Sequence, residues 1–395
     1  MNEINTRRAT WSDLAAEPFR VFFPAGVLAG ILGVALWPLH FLGVMDTYPG
    51  LGHARLMACG LFGGFIFGFL GTAMPRMLSA PTLRLSQVLA LVTLHVSMVT
   101  AFASGKIFMG DVLFLLLLVL FVSLMSLRAK QRKDTPPPGF ILVGMSFLCV
   151  ASGTVLAILQ GVREIDPFWI ILQRLLSYQG FVLLPILGIG PFILPRLFGM
   201  ESRHDFPEMR IPIGSWWGKA ALAFGAGALV IGSFFIEASG WHRVAHWIRF
   251  GTTLGYILIE MPFHRAPAVN ALGVSVRIAF AGIVGGFLAV ALFPAYRVGL
   301  LHLTLVGGFA VITFVVATRV AFGHSGNLPR LQGRNRWLLA AVGLMLLGMA
   351  TRISGDFSPK ILGSHYIYGA LLWIAGVLLW AVYVLPKVFV VEKEA

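Results

Sequence analysis

Residues Leu301–Asn327 read LHLTLVGGFAVITFVVATRVAFGHSGN, and this stretch decides the fold. From Leu303 to Thr318 no side chain carries a charge. Extended by a few residues, the run reaches the roughly 20 that an α-helix needs to cross a hydrocarbon core of about 30 Å. In lipid every backbone polar group must be satisfied within the segment, and the run is too long for a barrel strand, so it is a helix. His302 then marks one end, and Arg319 and His324 mark the other. The two histidines are 22 residues apart. That is roughly 33 Å along a helix, too far to serve one metal centre.

Similar runs recur along the 395 residues, of which 58% are hydrophobic and 12% charged, with a mean hydropathy of +0.86. A soluble chain would carry about twice that charge. Spans are expected near 19–44, 53–74, 84–104, 107–127, 139–160, 168–194, 215–236, 242–260, 274–295, 299–321, 337–353 and 365–386. The reading is an all-α transmembrane bundle of about twelve helices, a single membrane domain over 1–395 with membrane lipids as its first partner. No internal repeat is visible in it.

The net charge of +14 does not point to nucleic acid, because the basic residues gather in short loops with no aromatic-interleaved soluble face. Loop-biased charge sets membrane orientation instead. With both termini cytoplasmic, 21 of the 30 Lys and Arg fall on the inner side and six on the outer, which predicts an even number of crossings, N-in and C-in. The cytoplasmic parts are then the segment 1–17 and the loops 128–138 and 195–214; the first loop ends in Thr135-Pro-Pro-Pro and reads as a stiff linker. Cys59 and Cys149 lie inside spans, and there is neither a disulfide framework nor a CxxCH site for c-type haem.

Ionisable residues in or beside membrane spans are costly and by default mark function. In this topology His40, His53, His242, His246, His302 and His365 fall at outer span ends. His204, His264 and His324 fall on the inner side, and His95 lies nearer the middle. Arg55, Arg174 and Arg249 share the outer depth. Outer histidines with outer arginines suit a haem b, imidazoles holding the iron and guanidinium groups pairing with propionates. The same pattern suits interfacial anchoring, in which His and Arg satisfy headgroups and helix ends. His53 shares a helical face with Gly60 and Gly64, in a glycine series that most often serves helix packing. Trp241-His-Arg-Val-Ala-His-Trp sets His242 and His246 one turn apart, with Arg249 continuing the face; such a pair suits copper or zinc. The metal-ligand candidates are therefore His53, His302, His242, His246 and His365.

At these residues the chain resembles the NnrS family, bacterial polytopic membrane proteins linked to nitric oxide stress and denitrification. The resemblance is carried by Pro18-Phe-Arg-Val-Phe-Phe, by Gly52-His-Ala-Arg-Leu-Met with its glycine-rich continuation, by Thr318-Arg-Val-Ala-Phe-Gly-His-Ser-Gly, and by Leu371-Leu-Trp-Ile-Ala-Gly through Tyr383-Val-Leu-Pro-Lys. It implies a haem- and copper-containing protein of the bacterial cytoplasmic membrane that protects against nitrosative stress, with nitric oxide or a related small molecule and an unnamed electron donor as partners; an enzyme such as a haem-dependent oxidoreductase, a sensor and a metal-handling protein are all open under it. His53, His302, Arg319 and His324 keep the family pattern. Two positions depart from it. The family's HxHEM is here His53-Ala-Arg55-Leu56-Met57, and Arg277 stands where relatives often place a span-nine histidine. Copper loses ligands by both changes, whereas haem through His53 and His302 does not.

On this reading Arg55, Arg174 or Arg249 pairs with the propionates, and His242 and His246 supply a further ligand. No carboxylate relay is visible: Glu237 and Glu260 lie at span ends and Asp111 near the start of span four. A haem-copper oxidase would need a His-His pair, which this chain lacks. A twelve-helix secondary transporter without haem is the other class; there Gly188, Gly190, Pro191 and Pro195 would break span six, and Gln173, Arg174, Ser177, Tyr178 and Gln179 would bind a solute.

Overall fold

The computed structural model describes residues 6–263, 266, 270–331 and 333–392, so His264 lies outside the described residues. Eleven of its helices are long and apolar enough to cross a membrane: Phe19–Phe41, Gly50–Met77, Leu85–Ala103, Ile107–Lys130, Phe140–Val162, Pro167–Leu197, Gly214–Ala238, Ala271–Leu292, Pro294–His324, Arg336–Gly355 and Pro359–Val388. One further helix, His242–Glu260, has the length but carries too many polar residues. Two short strands, β1 (Thr6–Arg8) and β2 (Val390–Glu392), pair antiparallel and bring the two ends of the chain together. An odd number of crossings would separate them, so His242–Glu260 is the crossing that makes the number even. In chain order these are spans one to twelve, His242–Glu260 being span eight. The face that carries β1 and β2 is here the terminal face.

Successive spans are neighbours in space, and span twelve packs against span one, closing a ring. The layout repeats every four spans. Spans one and three, five and seven, and nine and eleven touch across an intervening helix, as do two and four, six and eight, and ten and twelve. Spans two, six and ten meet one another at the centre. This repeat of placement has no counterpart in residue identity, which is why the sequence does not display it.

The three central spans share a second feature. Each leaves the α-helical hydrogen-bond pattern for a π-helical segment: Leu56–Phe62 in span two, Leu176–Gly180 in span six and Leu303–Ala310 in span ten. The wider turn re-aims whatever precedes it, and such segments recur at functional sites. The break expected near Pro191 and Pro195 is absent: Phe181–Leu197 is one helix with three prolines inside it, and the irregularity of span six is the π segment before it.

The glycine series of span two is used for packing, as expected. A Cβ on Gly60 would come within 2.7 Å of Ala29 Cβ, and one on Gly64 within 2.9 Å of Gly26 Cα. Span one therefore lies directly on span two. The two longer loops do not act as free linkers. Asp134 accepts from Met209 N at 2.9 Å, pinning the loop after span four to the one after span six, and Trp216 Nε1 donates to Pro136 O at 2.9 Å, pinning it to the start of span seven.

Candidate functional site

Away from the terminal face, each pair of central spans encloses a bay with one outer arc of the ring, and each bay holds a polar cluster. The first lies among spans one, two, ten, eleven and twelve. His53 donates from Nδ1 to the Gly33 carbonyl at 2.9 Å, and His302 from Nδ1 to the Val298 carbonyl at 2.9 Å. A carbonyl only accepts, so in both rings the proton sits on Nδ1 and the lone pair on Nε2, the arrangement a metal-ligating imidazole needs. Both rings lie within electrostatic reach of the Arg352 guanidinium. Both keep part of their surface accessible. Trp37 stands edge-on to His53 at 5.8 Å between ring centres and to Tyr366 at 4.7 Å. Arg352 lies 3.8 Å over the Tyr366 ring, donates to its hydroxyl and pairs with Asp356. His365, one position before Tyr366, donates from Nδ1 to Ile361 O at 3.0 Å, and His40 likewise to Met45 O at 3.1 Å.

The second bay, among spans two, four and six, is closed by a buried ion pair. Asp111 Oδ1 is 2.7 Å from Arg55 Nε, and Oδ2 is 3.2 Å from Nη2. Arg55 also donates to the Tyr178 hydroxyl and sits 5.5 Å over its ring. Both charged side chains are almost wholly buried. Arg55 thus has its own carboxylate here.

The third bay, among spans six, seven, eight and ten, centres on Glu237, also almost wholly buried. Arg249 donates to it and to Ser233 Oγ at 2.9 Å and Gln179 Oε1 at 2.8 Å. His246 Nε2 is 3.4 Å from Glu237 Oε2; Arg297 Nη1 and His242 Nδ1 are 3.5 and 3.8 Å from Oε1. Arg297 in turn donates to His242 Nδ1 at 3.1 Å. The carboxylates that read as span ends are therefore buried partners, and the i, i+4 histidine pair faces one of them. Among the described residues no group of three or more His, Cys, Asp and Glu side chains is placed to hold a metal ion.

The remaining signature residues serve the terminal face. His324 donates from Nδ1 to Glu17 Oε1 at 2.7 Å, and Arg20 donates from Nε to Glu17 Oε2 at 2.7 Å. Arg76 pairs with Glu17 as well, while Arg20 reaches the carbonyls of Val388 and Val390 beside β2. Burial works against a charge on Glu17, but the hydrogen bond and charge of His324 and the charges of Arg20 and Arg76 outweigh it and hold the carboxyl at about 2. Thr318 accepts from Trp380 Nε1 at 2.8 Å, tying span ten to span twelve. Arg319 makes no side-chain hydrogen bond among the described residues; its Nη1 packs over Gly323. Arg277 donates to the Phe263 carbonyl at 2.8 Å, and His204 and Lys219 both reach Glu260, at 2.8 and 3.0 Å. His95, fully buried in span three, has no partner on either ring nitrogen among the described residues and stands edge-on to Phe22.

Of the residues singled out from sequence, the structure brings His53 and His302 together and places Arg55 and Arg249 in the neighbouring bays. Arg174 is exposed. His242 and His246 share the third bay, and His324 and Arg319 lie at the far end of span ten from His302. Sequence reasoning missed Arg352, Asp356 and Tyr366 in the first bay and Glu17 on the terminal face, and it named Asp111 without its partner Arg55. A carboxylate four residues after an arginine at a span end, as in Arg352-Ile-Ser-Gly-Asp356, was a signal that could have found the first two.

No curated protein matches this chain. The model of the NnrS protein family matches residues 13–390, nearly its whole length, and the chain belongs to that family of nitric-oxide-related membrane proteins.

Proposed function

We propose that this NnrS-family protein binds haem b in the first bay, with His53 and His302 as its protein ligands, and handles nitric oxide there. The observation that carries the reading is the pair of Nδ1-anchored imidazoles, one on each of two central spans, with both Nε2 atoms uncommitted among the described residues. Backbone carbonyls of Gly33 and Val298 fix the rings and raise their basicity as ligands. Arg352 adds a cation that suits a propionate, and Trp37 and Tyr366 give the bay flat aromatic walls. A haem held there would supply an iron able to take nitric oxide once one of the two imidazoles gives way. Arg55 and Arg249 are buried against their own carboxylates in the other bays, whereas Arg352 shares itself with Asp356 but keeps part of its surface accessible. Glu237 and His246 form a buried carboxylate–imidazole pair in the third bay, which can hold and pass a proton if reduction takes place. The bays belong on the outer side of a bacterial cytoplasmic membrane, by the charge bias of the loops.

The test is the absorption spectrum of the detergent-purified protein, oxidised and dithionite-reduced, before and after nitric oxide. The expected result is a b-type spectrum that shifts with nitric oxide and loses most of its Soret intensity in His53→Ala and His302→Ala. A haem-replete preparation with no Soret band would overturn the reading, as would ligand variants with an unchanged spectrum.

A further inference from the structure

Spans two, six and ten do not close completely on one another. Below their π segments, toward the terminal face, they leave a cavity of about 90 Å³ lined by Phe62, Phe65, Ile189, Leu194, Ile312 and Val316 among others. Thr313 is the one polar side chain in the lining among the described residues. The residues that keep accessible surface there recur at helical spacing, Ile66 and Phe69 in span two, Ile186, Ile189 and Ile193 in span six, and Thr313 and Val316 in span ten, so one face of each helix looks onto the same space. A water held there needs two to four polar partners and finds one, Thr313, so the cavity, although partly open to its surroundings, favours apolar guests. Its volume equals about three water-sized molecules at about 30 Å³ each. That is far too small for a porphyrin and well matched to diatomic gases.

We infer that this central cavity is a binding site for small, neutral, apolar gas molecules of the nitric oxide class, separate from the three polar bays. Position supports the assignment as well as chemistry. The cavity is roofed by Phe62, whose ring meets Phe309 edge-on at 6.3 Å between centres. Phe309 lies in the π segment of span ten, seven residues after His302, which is roughly 10 Å along a helix. A gas that partitions into the bilayer can thus collect on the axis of the bundle, one aromatic layer below the level of the histidine pair. The link to nitric oxide rests on the function proposed above; the capacity of the cavity for a gas does not.

The experiment uses xenon as the probe on the full-length detergent-purified protein. A 129Xe NMR titration of the wild type should show saturable binding. Val316→Trp and Ile189→Phe, which fill the cavity, should abolish it with melting temperatures close to wild type, and Phe69→Ala, which enlarges it, should raise the bound xenon. Absence of saturable binding in the wild type overturns the site, as does equal binding in a folded filled variant. If the filled variants fail to fold, a lack of change in Phe69→Ala overturns it instead. A second measurement, flash-induced recombination of nitric oxide with reduced haem, should slow about tenfold in Val316→Trp with an unchanged Soret band. An unchanged rate would overturn the link between cavity and haem. Xenon binding in a chain that takes up no haem would support the cavity and defeat only the haem reading.

Discussion

Glu17 is partnered by Arg20 three residues on and by Arg76 and His324 from remote parts of the chain, and it is only 8% exposed. A carboxyl that titrates near 2 when folded, against 4.5 ordinarily, contributes stability that is fully present above about pH 4.5 and is lost as the pH falls toward 2. Glu17→Gln should therefore lower the melting temperature at pH 7 by several degrees, and the gap between variant and wild type should shrink steadily from pH 4.5 downward. A gap that is constant over this range would show that the ionised form is not what stabilises the terminal face. The haem spectrum should be unaffected, because none of these groups lies in the first bay. His324 was conspicuous in the sequence, but its partner was not. Glu17 precedes it by 307 residues and looks like an ordinary surface acid before span one. A histidine in a strong motif is easily assigned to a cofactor when the carboxylate that claims it is out of sight.

At the scale of the element, the π segments do what a histidine alone cannot. His302 and Arg319 sit on one continuous helix, yet they are turned relative to each other by the widened segment Leu303–Ala310. Deleting Leu305 should return this stretch to α-helix with His302 close to its present bearing, because seven residues at about 100° each cover nearly the turn that the eight wider ones cover now. The expected product is a monodisperse protein that keeps most of its Soret band. Loss of the band in a folded deletion variant would show that the wide turn itself, and not only the bearing of its flanks, positions the ligand. Span ten as a helix was legible from its uncharged run, and span two from its glycines. The π segments were not, because Leu56–Phe62 and Leu303–Ala310 contain no polar residue that would betray which face each position takes, apart from Thr304. Periodicity needs contrast between faces, and these two segments are apolar on almost every side. Span eight shows the converse. Its polar positions made it the least hydropathic crossing, and in the fold those same residues, His246, Arg249 and Thr253, are the buried ones.

For the whole molecule, the ring of twelve helices gives three similar bays that have diverged in content: two uncommitted histidines in one, an arginine–aspartate pair in the next, and an arginine–glutamate–histidine cluster in the third. The repeat escaped the sequence because only backbone placement is shared. The second bay bears on how such a bundle tolerates charge. Arg55 and Asp111 are each less than about a tenth exposed and lie inside an apolar bundle, so each is affordable only while the other is present. Removing one partner of a buried pair costs about 3–5 kcal/mol, whereas replacing both by apolar groups of similar volume is often neutral. Arg55→Met and Asp111→Leu should each lower the melting temperature markedly, and Arg55→Met/Asp111→Leu should recover most of the loss. If the second bay is a structural closure, the double variant should also keep the spectrum set by His53, two residues before Arg55 on the same span. A double variant that is stable but spectrally altered would instead give Arg55 a part in the first bay, carried through the start of the π segment that both bays share.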